Sequence, residues 1–145
     1  MSGAEGDEAA VILANEAFYD AFSARDLSAM EDVWAREHAV ACLHPGWDAL
    51  RGRDEVMASW RAIMENAGSP RVAFARAEAY VLGTAAFVIG YERIGGATLV
   101  ATNVFVREGS AWKLAHHHAS PVRAEIEDDE PPEPPEPPPD PHTIN

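Results

Sequence analysis

The sequence contains one cysteine, no apolar run near the roughly 18 residues that a membrane-spanning helix needs, and few basic residues. Cys42 alone cannot form an internal disulfide, and its place in an apolar stretch suits a reducing compartment. No basic segment followed by an apolar core opens the chain, so the expectation is a soluble, cytoplasmic protein without a membrane partner. Charge is unevenly placed. From Ala124 onward there are eight acidic residues and no Lys or Arg, whereas before it 16 acidic residues stand against 11 basic ones. No basic patch survives this division, which argues against a nucleic-acid partner.

What is present fits one core. A chain of 145 residues with 47% hydrophobic content predicts a single domain over 1–123. Residues 124–145 contain PPEPPEPPPDP, where proline removes backbone donors and the acids repel one another, so an extended, disordered tail is expected.

The chain is organised around residues 39–67. This stretch reads as a short apolar strand, a break at His44-Pro45-Gly46, a turn through Trp47 and Gly52, and an amphipathic helix. Val56, Trp60, Ile63 and Ala67 mark the inner face of that helix, which Gly68-Ser69-Pro70 ends. Upstream, Val11, Ala14, Phe18 and Phe22 predict a helix over 7–23. Asp26 is placed to cap a shorter helix whose Leu27, Met30 and Trp34 share one face. Downstream the period becomes two. Strands over 71–82, 85–94, 97–107 and 111–120, joined by short turns, form an antiparallel meander. The three helices offer the only apolar surfaces to cover it, which predicts an α+β domain.

Several residues carry candidate chemistry. His44 stands at a strand end, and an imidazole with an ordinary pKa of about 6.5 suits a general base at neutral pH. The alternative is that His44 only caps the turn through a backbone carbonyl. Strict alternation puts His116 and His118 on one face with Trp112 and Leu114, and His117 on the other with Lys113, Ala115 and Ala119. Zinc needs three or four ligands, and no Asp, Glu or Cys joins the histidine pair at a readable spacing, so no metal site is expected. No cofactor is expected either.

The segments ARDLSAMEDVW, HPGWDALRGRDEV and GSAWKLAHHHAS, in this order, resemble the nuclear transport factor 2-like superfamily, more closely its SnoaL-like and ketosteroid-isomerase-like branch. The last segment is also similar to the association domain of calcium/calmodulin-dependent protein kinase II. The resemblance implies a curved antiparallel sheet wrapped around three helices, a cone with an open pocket, usually dimeric. It puts His44 where the isomerase has its catalytic aspartate, Phe18 at its oxyanion tyrosine and Asn103 near its second oxyanion donor. Trp34 and Trp60 fall on aromatic pocket positions, and Tyr91 and Ala119 on arginines of the kinase association domain. His117 becomes the histidine on the pocket side. Trp47, in a Pro-Gly turn, is the candidate lid, and Met57 lies on the same helix as Trp60.

Two readings follow from this. One is an apolar pocket for a small organic molecule, with His44 or His117 as general acid or base in isomerase or dehydratase chemistry. The other is a non-catalytic dimeric ligand-binding or assembly module. A homodimer is expected through the convex sheet face, on which Trp112, Leu114, Val104 and Val106 are expected to lie.

Overall fold

The computed structural model describes residues 3–66, 68, 71–124 and 126. Helix α1 (Gly3–Ala24) starts a turn earlier than its apolar periodicity suggests and buries Val11, Asn15, Phe18 and Tyr19 along one stripe. Asp26 caps helix α2 (Leu27–Val33) as expected, accepting from the Ala29 amide at 3.0 Å. Strands β1 (Ala41–Leu43) and β2 (Leu50–Arg51) flank the His44-Pro45-Gly46 turn, and helix α3 (Arg53–Glu65) follows.

Arg53 links the two shorter helices. Its guanidinium donates to the carbonyls of Glu31, Trp34 and Ala35 at 2.5, 3.0 and 3.1 Å, satisfying acceptors that the end of α2 leaves without helical partners. Val56, Trp60 and Met64 then face inward, with Ile63 half-buried; Ala67 lies outside the described residues.

Strands β3 (Val72–Leu82), β4 (Ala85–Ile94), β5 (Ala97–Glu108) and β6 (Ala111–Pro121) form the expected meander in a six-stranded sheet ordered β2-β1-β6-β5-β4-β3. The sheet is not wholly antiparallel, because β1 pairs with β6 in parallel, Cys42 opposite His117. Helix α1 lies against β3, β4 and β6, so the inner face of the sheet closes around it. The α+β class is as expected. The expected extended tail lies outside the described residues, apart from Ala124 and Ile126; the Ile126 carbonyl accepts from Arg93.

Two bulges break the period of two. In β3 the register shifts between Ala75 and Glu78, with Arg76 at φ 57°. In β6, Val104 opposes His116 but Phe105 opposes Leu114, so Ala115 is the extra residue. That insertion turns Trp112 and Leu114 into the core, where both are buried, while His116 and His118 face outward. Trp112 and Leu114 therefore do not belong to the convex face; Val104 and Val106 alternate with buried Asn103 and Phe105 and do.

Gly90 sits opposite the first bulge, and a Cβ built on it would stand 2.3 Å from the Phe74 ring and 3.0 Å from the Ala75 carbonyl oxygen. Phe74 is itself held by stacking on Tyr19, ring centroids 4.3 Å apart. Gly90→Ala is expected to lower stability by about 1–3 kcal/mol through overpacking. Urea unfolding checks this, and a Phe74→Leu background should recover part of the loss.

Candidate functional site

The inner face of the sheet carries a buried polar cluster fed by four elements. Asn15 and Tyr19 come from α1, Glu92 from β4, Asn103 from β5 and His117 from β6, each at most 5% exposed. Its hydrogen bonds run in one sense. Tyr19 donates its hydroxyl proton to Glu92 Oε2 at 2.7 Å, and Asn103 Nδ2 donates to Tyr19 Oη at 3.1 Å and to Asn15 Oδ1 at 2.9 Å. With both amide protons of Asn103 so used, its Oδ1 accepts from His117 Nδ1 at 2.6 Å. His117 Nε2 is thereby left to face Glu92 Oε2 across 3.6 Å.

Burial sets the protonation of both groups. Burial pushes the Glu92 carboxyl up to about 7, opposed by the hydrogen bond from Tyr19, and pushes His117 down to about 3, helped by His44 and its histidine neighbours. Burial, with Glu92 adding to it, also holds the Tyr19 hydroxyl well above the ordinary phenol range.

His44 forms a second polar point. Its Nε2 is 2.9 Å from Ser59 Oγ, and Ser59 sends its own proton to the Val56 carbonyl at 2.7 Å, so His44 Nε2 is the donor and Nδ1 keeps its lone pair. Burial lowers His44 to about 4. The turn is closed by the backbone instead, the Trp47 amide donating to the His44 carbonyl at 2.9 Å. The His44 and His117 ring centroids are 6.4 Å apart, and Trp60 touches both. Beside them Cys42 is fully buried, its thiol raised to about 12 by burial and by Glu92.

The predicted residues divide cleanly. Phe18, Trp34 and Trp60 are fully buried and packed edge to face, with Phe18 5.4 Å from Trp60 and 6.4 Å from Trp34, so they fill the interior rather than wall an open pocket. Met57 is half-buried against the same core. Trp47 leans on His44, ring centroids 5.0 Å apart, with 47% of its surface exposed. Asn103 lies in the polar cluster rather than on a pocket wall. Tyr91 is a correction: Val88 and Glu92 of β4 face inward, so the alternation of the strand turns Tyr91 outward. Glu92, Tyr19, Asn15 and Ser59 were not singled out from the sequence, and Cys42 was noted only as an unpaired thiol, although Asn15 and Tyr19 extend the inner stripe of α1 from Val11.

Void space meets this cluster between α1 and β3. A cleft of about 280 Å³ has Asn15, Tyr19 and Phe74 among its lining residues and Glu16 and Asp20 at the same helix. The indole N–H groups of Trp34, Trp60 and Trp112 are buried with no hydrogen-bond partner among the described residues. Among those residues no three His, Cys, Asp or Glu side chains of one chain converge as metal ligands. Among the described residues no helix is long and apolar enough to cross a membrane.

Comparison with known proteins gives this geometry a family. An inferred dehydratase of the NTF2-like family from Streptomyces avermitilis is 36% identical, superposes with a TM-score of 0.76, and is matched over 83% of this chain and 99% of its own. An inferred calcium/calmodulin-dependent protein kinase type II association domain from Thiobacillus denitrificans is 38% identical with a TM-score of 0.65, over 76% of this chain and 93% of its own. The F-box protein SKIP8 of Arabidopsis thaliana is 30% identical over 115 residues, 77% of this chain but 49% of that protein, so the chain spans about half its length. The model of the SnoaL-like domain matches residues 11–124, and the chain belongs to that family, with an NTF2-like fold.

Proposed function

We propose that the domain binds a small organic molecule at its polar interior and moves a proton on it, in isomerase or dehydratase chemistry. The observation that carries this reading is the Glu92–His117 pair, 3.6 Å apart, buried, and wired through Tyr19 and Asn103 to a cleft. A carboxyl raised to about 7 can give or take a proton at neutral pH, the condition for efficient general acid–base catalysis. His44, neutral with Nδ1 unprotonated, is the second base. Similarity to the inferred dehydratase supports the reaction class.

The non-catalytic module keeps one observation in its favour. Similarity to the inferred kinase association domain covers 76% of the chain at 38% identity, and that protein is named as an association domain rather than an enzyme.

The first test uses solvent exchange. Incubation with β-hydroxy ketones and enones in deuterated buffer, followed by NMR, should show α-proton exchange or loss of water. Glu92→Gln and His117→Gln should each slow this by about 100- to 10,000-fold. Absence of exchange across the panel, or equal rates in the variants, would remove the catalytic reading.

The second test is thermodynamic. Glu92 rises from an ordinary 4.5 to about 7 on folding, so the native state holds the extra proton between those values. The stabilisation is full below pH 4.5 and is lost as the pH rises through 7. His44 and His117, lowered on folding, run the opposite way but are common to wild type and variant. The stability of the wild type relative to Glu92→Gln is therefore expected to fall by on the order of 3 kcal/mol across that window, as read by urea unfolding.

A further inference from the structure

The cleft between α1 and β3 carries groups that the Glu92–His117 pair does not use. Helix α1 presents two neighbouring rows to it, buried Asn15 and Tyr19 on the inner side and exposed Glu16 and Asp20 on the outer. We infer that this cleft takes a small organic cation, a protonated amine that also carries a carbonyl oxygen, with the ammonium held by Glu16 and Asp20 and the oxygen by Asn15. This deepens the acid–base reading, on which it rests for the path from the cleft to Glu92, by naming the substrate class.

Asn15 is the residue that calls for a ligand. It is 1% exposed and lines the cleft, and its Oδ1 accepts from Asn103, while its own Nδ2 donates to no group among the described residues. Unlike the sealed indole N–H groups of the tryptophans, this one reaches accessible surface, and the cleft is the surface that Asn15 lines. Amide donors this deep are ordinarily satisfied, so the free N–H is matched to an acceptor that enters from outside. The Tyr19 hydroxyl beside it is already committed to Glu92 and Asn103.

Charge selects the other end of the ligand. Glu16 and Asp20 stand four residues apart on one helix face, where Cβ atoms are about 5–6 Å apart, close enough to share one ammonium and to repel each other without it. No Lys, Arg or His lines the cleft, and neither acid pairs with a cation among the described residues. Ile12, Val72 and Phe74 supply an apolar wall, and Ser23 fixes the spacing of helix and strand by donating to the Val72 carbonyl at 3.0 Å. A volume of about 280 Å³ is at the small end for ligand pockets, which suits a compound with a single ring.

Calorimetry on the full-length chain at about pH 6 tests this with phenylalaninamide, which joins an ammonium, a carbonyl and one ring. N-acetylphenylalaninamide lacks the charge, 3-phenylpropionate reverses it, and phenethylamine lacks the carbonyl. Phenylalaninamide is expected to bind at least tenfold more tightly than each of them. The double variant Glu16→Gln, Asp20→Asn, at exposed positions, should weaken it at least tenfold, whereas Glu55→Gln, Glu65→Gln, an equal change of charge on α3, should leave it unchanged. Asn15→Ser should bring phenylalaninamide down to the affinity of phenethylamine. No binding of phenylalaninamide at millimolar concentration, equal affinity for its N-acetyl form, or full affinity in the Glu16, Asp20 variant would overturn the inference. Solvent exchange decides the acid–base reading separately: cation-selective binding without exchange removes that reading alone, and exchange on neutral ketones without cation selectivity removes this one alone.

Discussion

The hydrogen-bonded chain from Asn15 and Tyr19 through Asn103 to His117 and Glu92 holds α1 in place against three strands. Hydrophobic contact alone would let a helix settle on a sheet in several registers, because apolar burial is not directional. Directional bonds remove that freedom. An unmet donor or acceptor in the interior costs about 1–3 kcal/mol, so sliding α1 by one residue would break several contacts together. The packing of Phe18 against Trp34, Trp60 and His117 depends on this fixed placement.

Much of the fold was legible because it rests on local chemistry. Asp26 reads as a cap since its carboxylate can reach the Ala29 amide, and the turns between the long strands read from glycine. The two bulges were not legible. Nothing in the alternation of β6 marks Ala115 as the extra residue, and one such residue reverses the facing of Trp112 and Leu114 while leaving His117 inside. The parallel pairing of β1 with β6 was equally hidden, since it joins segments more than 70 residues apart.

The site shows the same division. His117 was assigned to the inner side by strand alternation together with the family resemblance, and Asn103 was named by the resemblance alone. Glu92 was missed, although Ala86, Val88 and Gly90 precede it at every second position and set the phase that carries it inward. An acid on the buried phase of a strand is a usable signal, and so is Asn15 on the apolar stripe of α1. Tyr91 was expected in the pocket because the resemblance matches it to an arginine of the kinase association domain, and it lies one residue before Glu92 on the other face of β4. The triple histidine divides by side: one ring lies in the interior and two on the outer face.

The seclusion of Cys42 makes the protein carry its own reporter. A thiol that is fully buried and pushed up to about 12 is poor in the reactive thiolate, so a labelling reagent must wait for the structure to part. Because Cys42 pairs directly with His117 across the β1–β6 seam, the rate of labelling tracks the opening of that seam beside the polar cluster. As the sole sulfhydryl in the sequence, it gives a kinetic window on breathing around the interior site without an introduced probe.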